Sequence, residues 1–203
     1  MILSRSKKFV FLAFNKTGST SIESVLSRYQ SAYDRLFHRL RYDVYYKPRF
    51  GVIYKHVSAW QAKEFLGETV WDRYITICFV RNPWDRMVSL YSYHKRAPKY
   101  SHLVGAMGFD DWVRSGGTGT ARRLMSDFVS DRDGRRIVDF IGRYENLNQD
   151  FDRLLSKLGI RGVSLPHKNK SDHMDYREYY TEETREIVSG WVKRDAEMFG
   201  YKF

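Results

Sequence analysis

An apolar run near the start of the chain, Phe9 to Phe14, is interrupted by no polar residue, and this suits a strand buried on both faces of a parallel sheet. Directly after it, Ile22, Val25, Leu26 and Tyr29 recur at helical spacing, with Ser19, Thr20 and Ser21 in front of them as N-cap candidates. The same succession returns at Tyr74 to Val80, a second continuous apolar strand. It runs into a helix that Asn82 caps, Pro83 begins, and Trp84, Val88 and Tyr91 give a core face. A third strand is expected over Ile137 to Ile141, followed by a helix built on Leu147, Phe151, Leu154, Leu155 and Leu158 and closed by Gly159. Weaker patterns fill the intervals. Gly51 to His56 reads as a β-prone run, and Ser58 caps a helix carrying Ala59, Ala62, Phe65 and Leu66. Ala97 to Asp133 is loop-rich, with one short helix at Phe109, Trp112 and Val113. Thr181 caps a last helix through Ile187, Val188, Trp191 and Val192. Ser31 to Arg49, full of Tyr and Arg without a clean period, is expected as a partly helical surface segment. Strands alternating with helices predict an α/β fold around a central parallel sheet.

Composition sharpens this in three ways. With 203 residues, 42% of them hydrophobic, and no linker or repeat, the chain is expected to form a single domain over 1–203. A formal charge of +11 points to an anionic partner, although scattered basic residues equally suit a solvated face. Cys78 is alone and sits in an apolar run, so a disulfide framework is excluded and a core role expected. The N-terminus shows no signal-peptide pattern, and no apolar run is long enough to span a bilayer, so a soluble, cytoplasmic protein is expected.

Candidate chemistry lies where strands end. Between the first strand and its helix, Asn15-Lys16-Thr17-Gly18-Ser19-Thr20-Ser21 supplies small residues and backbone N–H groups for an anion, although any strand-to-helix connection has a similar composition. It is not a Walker A loop, since Lys16 precedes the only glycine and no Gly-Lys-Ser/Thr follows, which disfavours magnesium-dependent NTP hydrolysis. His56 ends a β-prone run, where open α/β sheets place ligands and where an imidazole can serve as general base; a lone histidine is more often structural. Arg81, at the end of the second apolar strand, and Ser89, further along the next helix, suit a second phosphate group, the alternative for Arg81 being a structural salt bridge. No paired carboxylates or His/Cys clusters of ligand spacing occur, so no metal is expected.

Taken in order, these stretches resemble the PAPS-dependent sulfotransferases, in particular the carbohydrate branch called sulfotransferase family 2. NKTGSTSIES is similar to the loop that binds the 5′-phosphosulfate of 3′-phosphoadenosine 5′-phosphosulfate (PAPS), and FVRNPWDRMVSLYSYH to the segment that binds its 3′-phosphate. VDFIGRYENLNQDFDRLLSKLGI, LPHKNKS and the terminal FGYKF resemble later blocks of that family. The resemblance implies a P-loop-like, three-layer αβα fold and transfer of a sulfuryl group from PAPS to a hydroxyl, leaving adenosine 3′,5′-bisphosphate. On this basis Lys16 would contact the oxygen bridging phosphate and sulfate, and Thr17, Gly18, Ser19, Thr20 and Ser21 would cradle the 5′-phosphate. Arg81 and Ser89 would hold the 3′-phosphate, and His56 would be the base, with carboxylates such as Glu23 or Glu145 as alternatives. Asn15 stands where relatives commonly have proline, and Ala97 to Arg123 matches poorly, which makes it the expected seat of acceptor choice.

The implied partners are the nucleotide donor and a saccharide or glycoconjugate acceptor, without nucleic acid and without a metal; dimer formation stays open. Two other functions compete. A small P-loop-type kinase is opposed by the lysine–glycine order and the Arg81 to Ser89 block. A non-catalytic module binding nucleic acid or another polyanion would show salt-steep binding without a nucleotide requirement, and gives His56 no role.

Overall fold

The computed structural model describes residues 1–41, 56–166 and 174–203. The expected β-prone run Gly51 to Lys55 and most of the LPHKNKS block lie outside them. The chain divides into two compact units, Met1–Val80 with Asp127–Asn169, and Arg81–Ser126 with Lys170–Phe203.

The first unit holds a four-stranded sheet in the order β1-β2-β3-β4, formed by Ile2–Ser4, Phe9–Leu12, Ile75–Val80 and Phe140–Arg143. β2, β3 and β4 run parallel, with Leu12 opposite Cys78 and Ile77 opposite Phe140, whereas β1 pairs antiparallel with β2. The sheet is thus mostly parallel, with an antiparallel edge that the sequence pattern did not announce. Burial explains the unbroken apolar runs. Phe9, Phe11, Ile77 and Phe79 pack on one face beneath α1 (Ser19–Leu26) and a helix over Leu147–Lys157, while Val10, Leu12, Cys78 and Val80, of opposite parity, are also fully buried. Burial pushes the Cys78 thiol up to about 12, so it is inert core.

Two boundaries differ from expectation. β2 stops at Leu12, although Ala13 and Phe14 stay buried, because the chain already turns toward the loop. The third strand lies at Phe140–Arg143 rather than from Ile137, whose N–H donates to Val129 O at 3.0 Å in a separate small bridge. Asp139 marks the join: its Oδ2 accepts from Thr76 N at 2.9 Å and Thr76 Oγ1 at 2.7 Å, pinning β4 to β3 just before the ladder begins.

That ladder leaves no room at Gly142, where a Cβ would lie 2.3 Å from Phe79 Cε1. Phe79 is fully enclosed, so Gly142→Ala should lower unfolding free energy by about 1–3 kcal/mol, as overpacking does. A urea midpoint equal to wild type would refute this close approach.

After α1 comes α2 (Ala32–Arg41), so the Tyr- and Arg-rich segment is helical in its described part. α3 (Ala59–Leu66) starts at Ser58, whose N and Oγ both donate to Gln61 Oε1, at 3.1 and 2.9 Å. α4 (Glu68–Arg73) leads into β3.

The second unit is helical: α5 (Pro83–Arg96), α6 (Pro98–Val104), α7 (Phe109–Arg114) and, near the chain's end, a helix over Glu182–Phe199. Trp84, Met87, Val88, Trp112, Val188 and Val192 are among its core. α8 (Met125–Phe128) was not apparent in the sequence, and neither was α6. The buried Asp195 carboxylate accepts from Met125 N at 3.0 Å and Ser126 N at 2.7 Å, opening α8 from a residue far away in the chain. Nearby Arg86, fully buried, donates through Nη2 to Arg123 O at 2.9 Å; burial draws its pKa down to about 10 against the opposing charge of Asp195, so it remains a cation at neutral pH. The two remaining helices, Leu147–Lys157 and Glu182–Phe199, are α9 and α10. Among the described residues no helix is long and apolar enough to cross a membrane.

Candidate active site

The loop between β2 and α1 is shaped by two left-handed residues. Lys16 has φ 66° and Gly18 φ 75°. Such a conformation strains a residue with a Cβ, which makes Lys16 an uncommon feature and Gly18 an expected one. A Cβ on Gly18 would also press to 3.1 Å from Tyr144 Cδ2 and 3.2 Å from Leu147 Cδ2. Thr17, fully buried, donates its Oγ1 to Phe14 O at 3.1 Å, so its hydroxyl braces the turn and its main-chain N–H is what it can offer an anion.

The cap of α1 is not one of the serines or Thr20. Gly18 occupies the N-cap and no side chain caps the helix. Ser21 N already donates to Gly18 O at 3.1 Å, so Ser19 and Thr20 carry the N–H groups that precede the helical ladder. Ser19 and Ser21 are buried while Thr20 is exposed. A helix start without a side-chain cap, behind a left-handed lysine and glycine, suits an anion.

His56 reaches the same loop. Its Nδ1 lies 2.7 Å from Ala13 O, the carbonyl just after β2. A carbonyl only accepts, so Nδ1 carries the hydrogen, and in the neutral ring the lone pair is on Nε2. The ring is half-buried, with α3 beginning immediately after Ser58.

In the second unit, Arg81 is the residue after β3 and is only 3% exposed. Its Nε and Nη2 donate to the two Asp85 oxygens at 2.7 and 2.8 Å. The salt bridge weighed as an alternative therefore exists, and it is a two-point contact. Ser89 is buried on α5. Asn82 caps that helix as expected, its Oδ1 accepting from Trp84 N at 3.0 Å and Asp85 N at 3.3 Å. Asp85 was missed in the sequence, though its spacing from Arg81 is that of a helical ion pair; the packing of Tyr144 against Gly18 had no sequence signal.

Thus in the first unit His56 is bonded to Ala13, at the start of the loop that carries Lys16 to Ser21, and the second holds Ser89 on α5 and Arg81 as the residue before its cap. Among the described residues no group of His, Cys, Asp and Glu is arranged to hold a metal ion.

Comparison with known proteins adds three findings. Residues 1–202 match the model of the sulfotransferase family. An uncharacterised protein of Archaeoglobus fulgidus is 36% identical over 104 residues, covering 51% of this chain and 83% of that protein. Mouse sulfotransferase SULT7A1, crystallised in complex with PAP, is similar in fold with a TM-score of 0.54 at 18% identity, over 97% of this chain and 86% of that one.

Proposed function

The chain belongs to the sulfotransferase family, and from that premise we propose that it moves a sulfuryl group from PAPS to an acceptor hydroxyl, most naturally that of a carbohydrate, with His56 as general base. Residues 1–203 then act as one sulfotransferase domain. The observation that carries the reading is the hydrogen bond from His56 Nδ1 to Ala13 O at 2.7 Å, which fastens the candidate base to the loop carrying Lys16.

The loop fits the 5′ end of such a donor. Main-chain N–H groups from Thr17 to Thr20 meet phosphate oxygens, Gly18 lets the backbone approach, and the Lys16 ammonium faces the oxygen between phosphorus and sulfur. Bound there, the donor supplies an electrophilic sulfur. The acceptor oxygen forms a bond to it as the bond from sulfur to the bridging oxygen breaks, and the electron pair leaves on the nucleotide phosphate. His56 Nε2, which bears the lone pair when Nδ1 carries the hydrogen, takes the acceptor's proton. Lys16 and the loop N–H groups meet negative charge where it develops, so positioning and electrostatics carry the rate.

The 3′-phosphate falls to Arg81 and Ser89. Asp85 grips the Arg81 guanidinium through Nε and Nη2, and that grip sets the plane in which the cation meets a phosphate. Arg81→Ala should weaken binding of adenosine 3′,5′-bisphosphate by about 1.5–3 kcal/mol, the range for a hydrogen bond to a charged group. Adenosine 5′-monophosphate should be affected little. Calorimetry in which wild type binds the two nucleotides equally would defeat this assignment.

Transfer of labelled sulfate from PAPS to a panel of saccharide, lipid-linked and small-molecule hydroxyls tests the whole reading. Product on a saccharide supports it, and labelling confined to a non-carbohydrate acceptor would keep the chemistry while moving the substrate class.

A further inference from the structure

The terminal FGYKF block and Tyr176 have no part in the chemistry above, yet they converge on the residue beside Arg81. We propose that Asn82 is a positioning residue for the 3′-phosphate site, held in place by the Lys202 carbonyl and the Tyr176 hydroxyl; this rests on the reading of Arg81 as the 3′-phosphate ligand.

The Asn82 amide has one arrangement that satisfies its surroundings. Its oxygen accepts from Trp84 N and Asp85 N, at 3.0 and 3.3 Å. Its nitrogen, which can only donate, faces Lys202 O at 3.1 Å and the Tyr176 hydroxyl at 3.2 Å. Turning the amide over would set its oxygen against a carbonyl and its NH2 against two N–H groups. Asn82 is 9% exposed, so water does not readily substitute for these partners.

From Asn82 the constraint passes to Arg81 in two steps. Asp85 is fixed at its backbone by the Asn82 oxygen, and its carboxylate grips the Arg81 guanidinium through Nε and Nη2 at 2.7 and 2.8 Å. A two-point grip sets the plane of the guanidinium, and that plane decides the direction from which the cation meets a phosphate.

The first turn of α5 is supported from the same part of the chain. The Tyr180 hydroxyl donates to Trp84 O at 2.9 Å, Trp84 Nε1 donates to Ser189 Oγ at 3.1 Å, and the Phe203 ring meets Trp84 edge-on at 5.8 Å. Residues that touch no substrate thereby set the aim of the cation that does.

Two variants separate this tether from the cap. Asn82→Ser keeps a side-chain oxygen for the helix start and removes the donor to Lys202 and Tyr176. Tyr176→Phe removes only the hydroxyl and keeps the ring, which lies edge-on to Phe203 at 5.7 Å. Adenosine 3′,5′-bisphosphate and adenosine 5′-monophosphate are titrated into each by calorimetry. The bisphosphate should bind about three- to tenfold more weakly, the equivalent of one net hydrogen bond, while the monophosphate binds as in wild type. Equal losses for both nucleotides would mark a merely structural role, and unchanged affinities no role; either overturns the proposal. If wild type fails to distinguish the two nucleotides, it is the 3′-phosphate reading of Arg81 that falls. Should Asn82→Ser not fold, Tyr176→Phe gives the same comparison.

Discussion

Replacing His56 with alanine is expected to lower turnover by about 100- to 10,000-fold, the contribution of a positioned general base, and to leave affinity for adenosine 3′,5′-bisphosphate unchanged. The separation follows from the geometry. His56 touches the loop through Nδ1, which donates to Ala13 O, so in the neutral ring the accepting lone pair is on Nε2. Loss of the ring also removes that anchor, and alanine alone would not distinguish a catalytic from a supporting role. His56→Asn does so, because its amide NH2 can still donate to Ala13 O but cannot accept a proton at the reacting oxygen. Both variants should be equally inactive. An active His56→Asn would reduce His56 to a loop anchor and bring Glu23 or Glu145 forward as the base.

What the sequence conveyed and what it withheld divide along physical lines. β2 and β3 were legible because burial on both faces leaves no polar position to interrupt them. β1 was not, since Ile2–Ser4 is too short for any period to show. α5 announced its start through Asn82 and Pro83, both local signals, whereas α8 begins on a carboxylate that lies 70 residues away from Met125. The cap of α1 was misread for an instructive reason. Serine and threonine are favoured N-caps, and three of them lay in the right place, but the chain reached the left-handed region at Gly18 first. Local propensity gave way to loop geometry, and the uncapped N–H groups are what suit the start of α1 to an anion.

The site follows the same division. Lys16, Gly18 and Arg81 stood out from their places at strand ends, and the Arg81–Asp85 pair was available from spacing alone. The contact between Asn82 and Lys202 spans 120 positions and leaves no trace in local pattern. The residues proposed for the chemistry carry local signals, and the contact proposed to aim them carries none.

Lys16→Ala is expected to reduce turnover by about 100-fold or more, as loss of a donor to a developing oxyanion does. Alanine at a left-handed φ of 66° carries a backbone cost comparable to that of lysine, so the substitution tests the ammonium more than the backbone. Glycine adopts that conformation without penalty. Lys16→Gly should therefore unfold at an equal or higher urea concentration than Lys16→Ala while losing as much turnover. Stability and activity moving apart in this way would mean that the strained position is retained for the charge it presents. The bridging oxygen acquires its negative charge as the bond to sulfur breaks, so the loss should appear mainly in kcat, with donor affinity changed less. Wild-type kcat in Lys16→Ala at saturating acceptor would remove Lys16 from the mechanism, and magnesium-dependent ATP turnover by the unaltered protein would favour the kinase over the sulfotransferase reading.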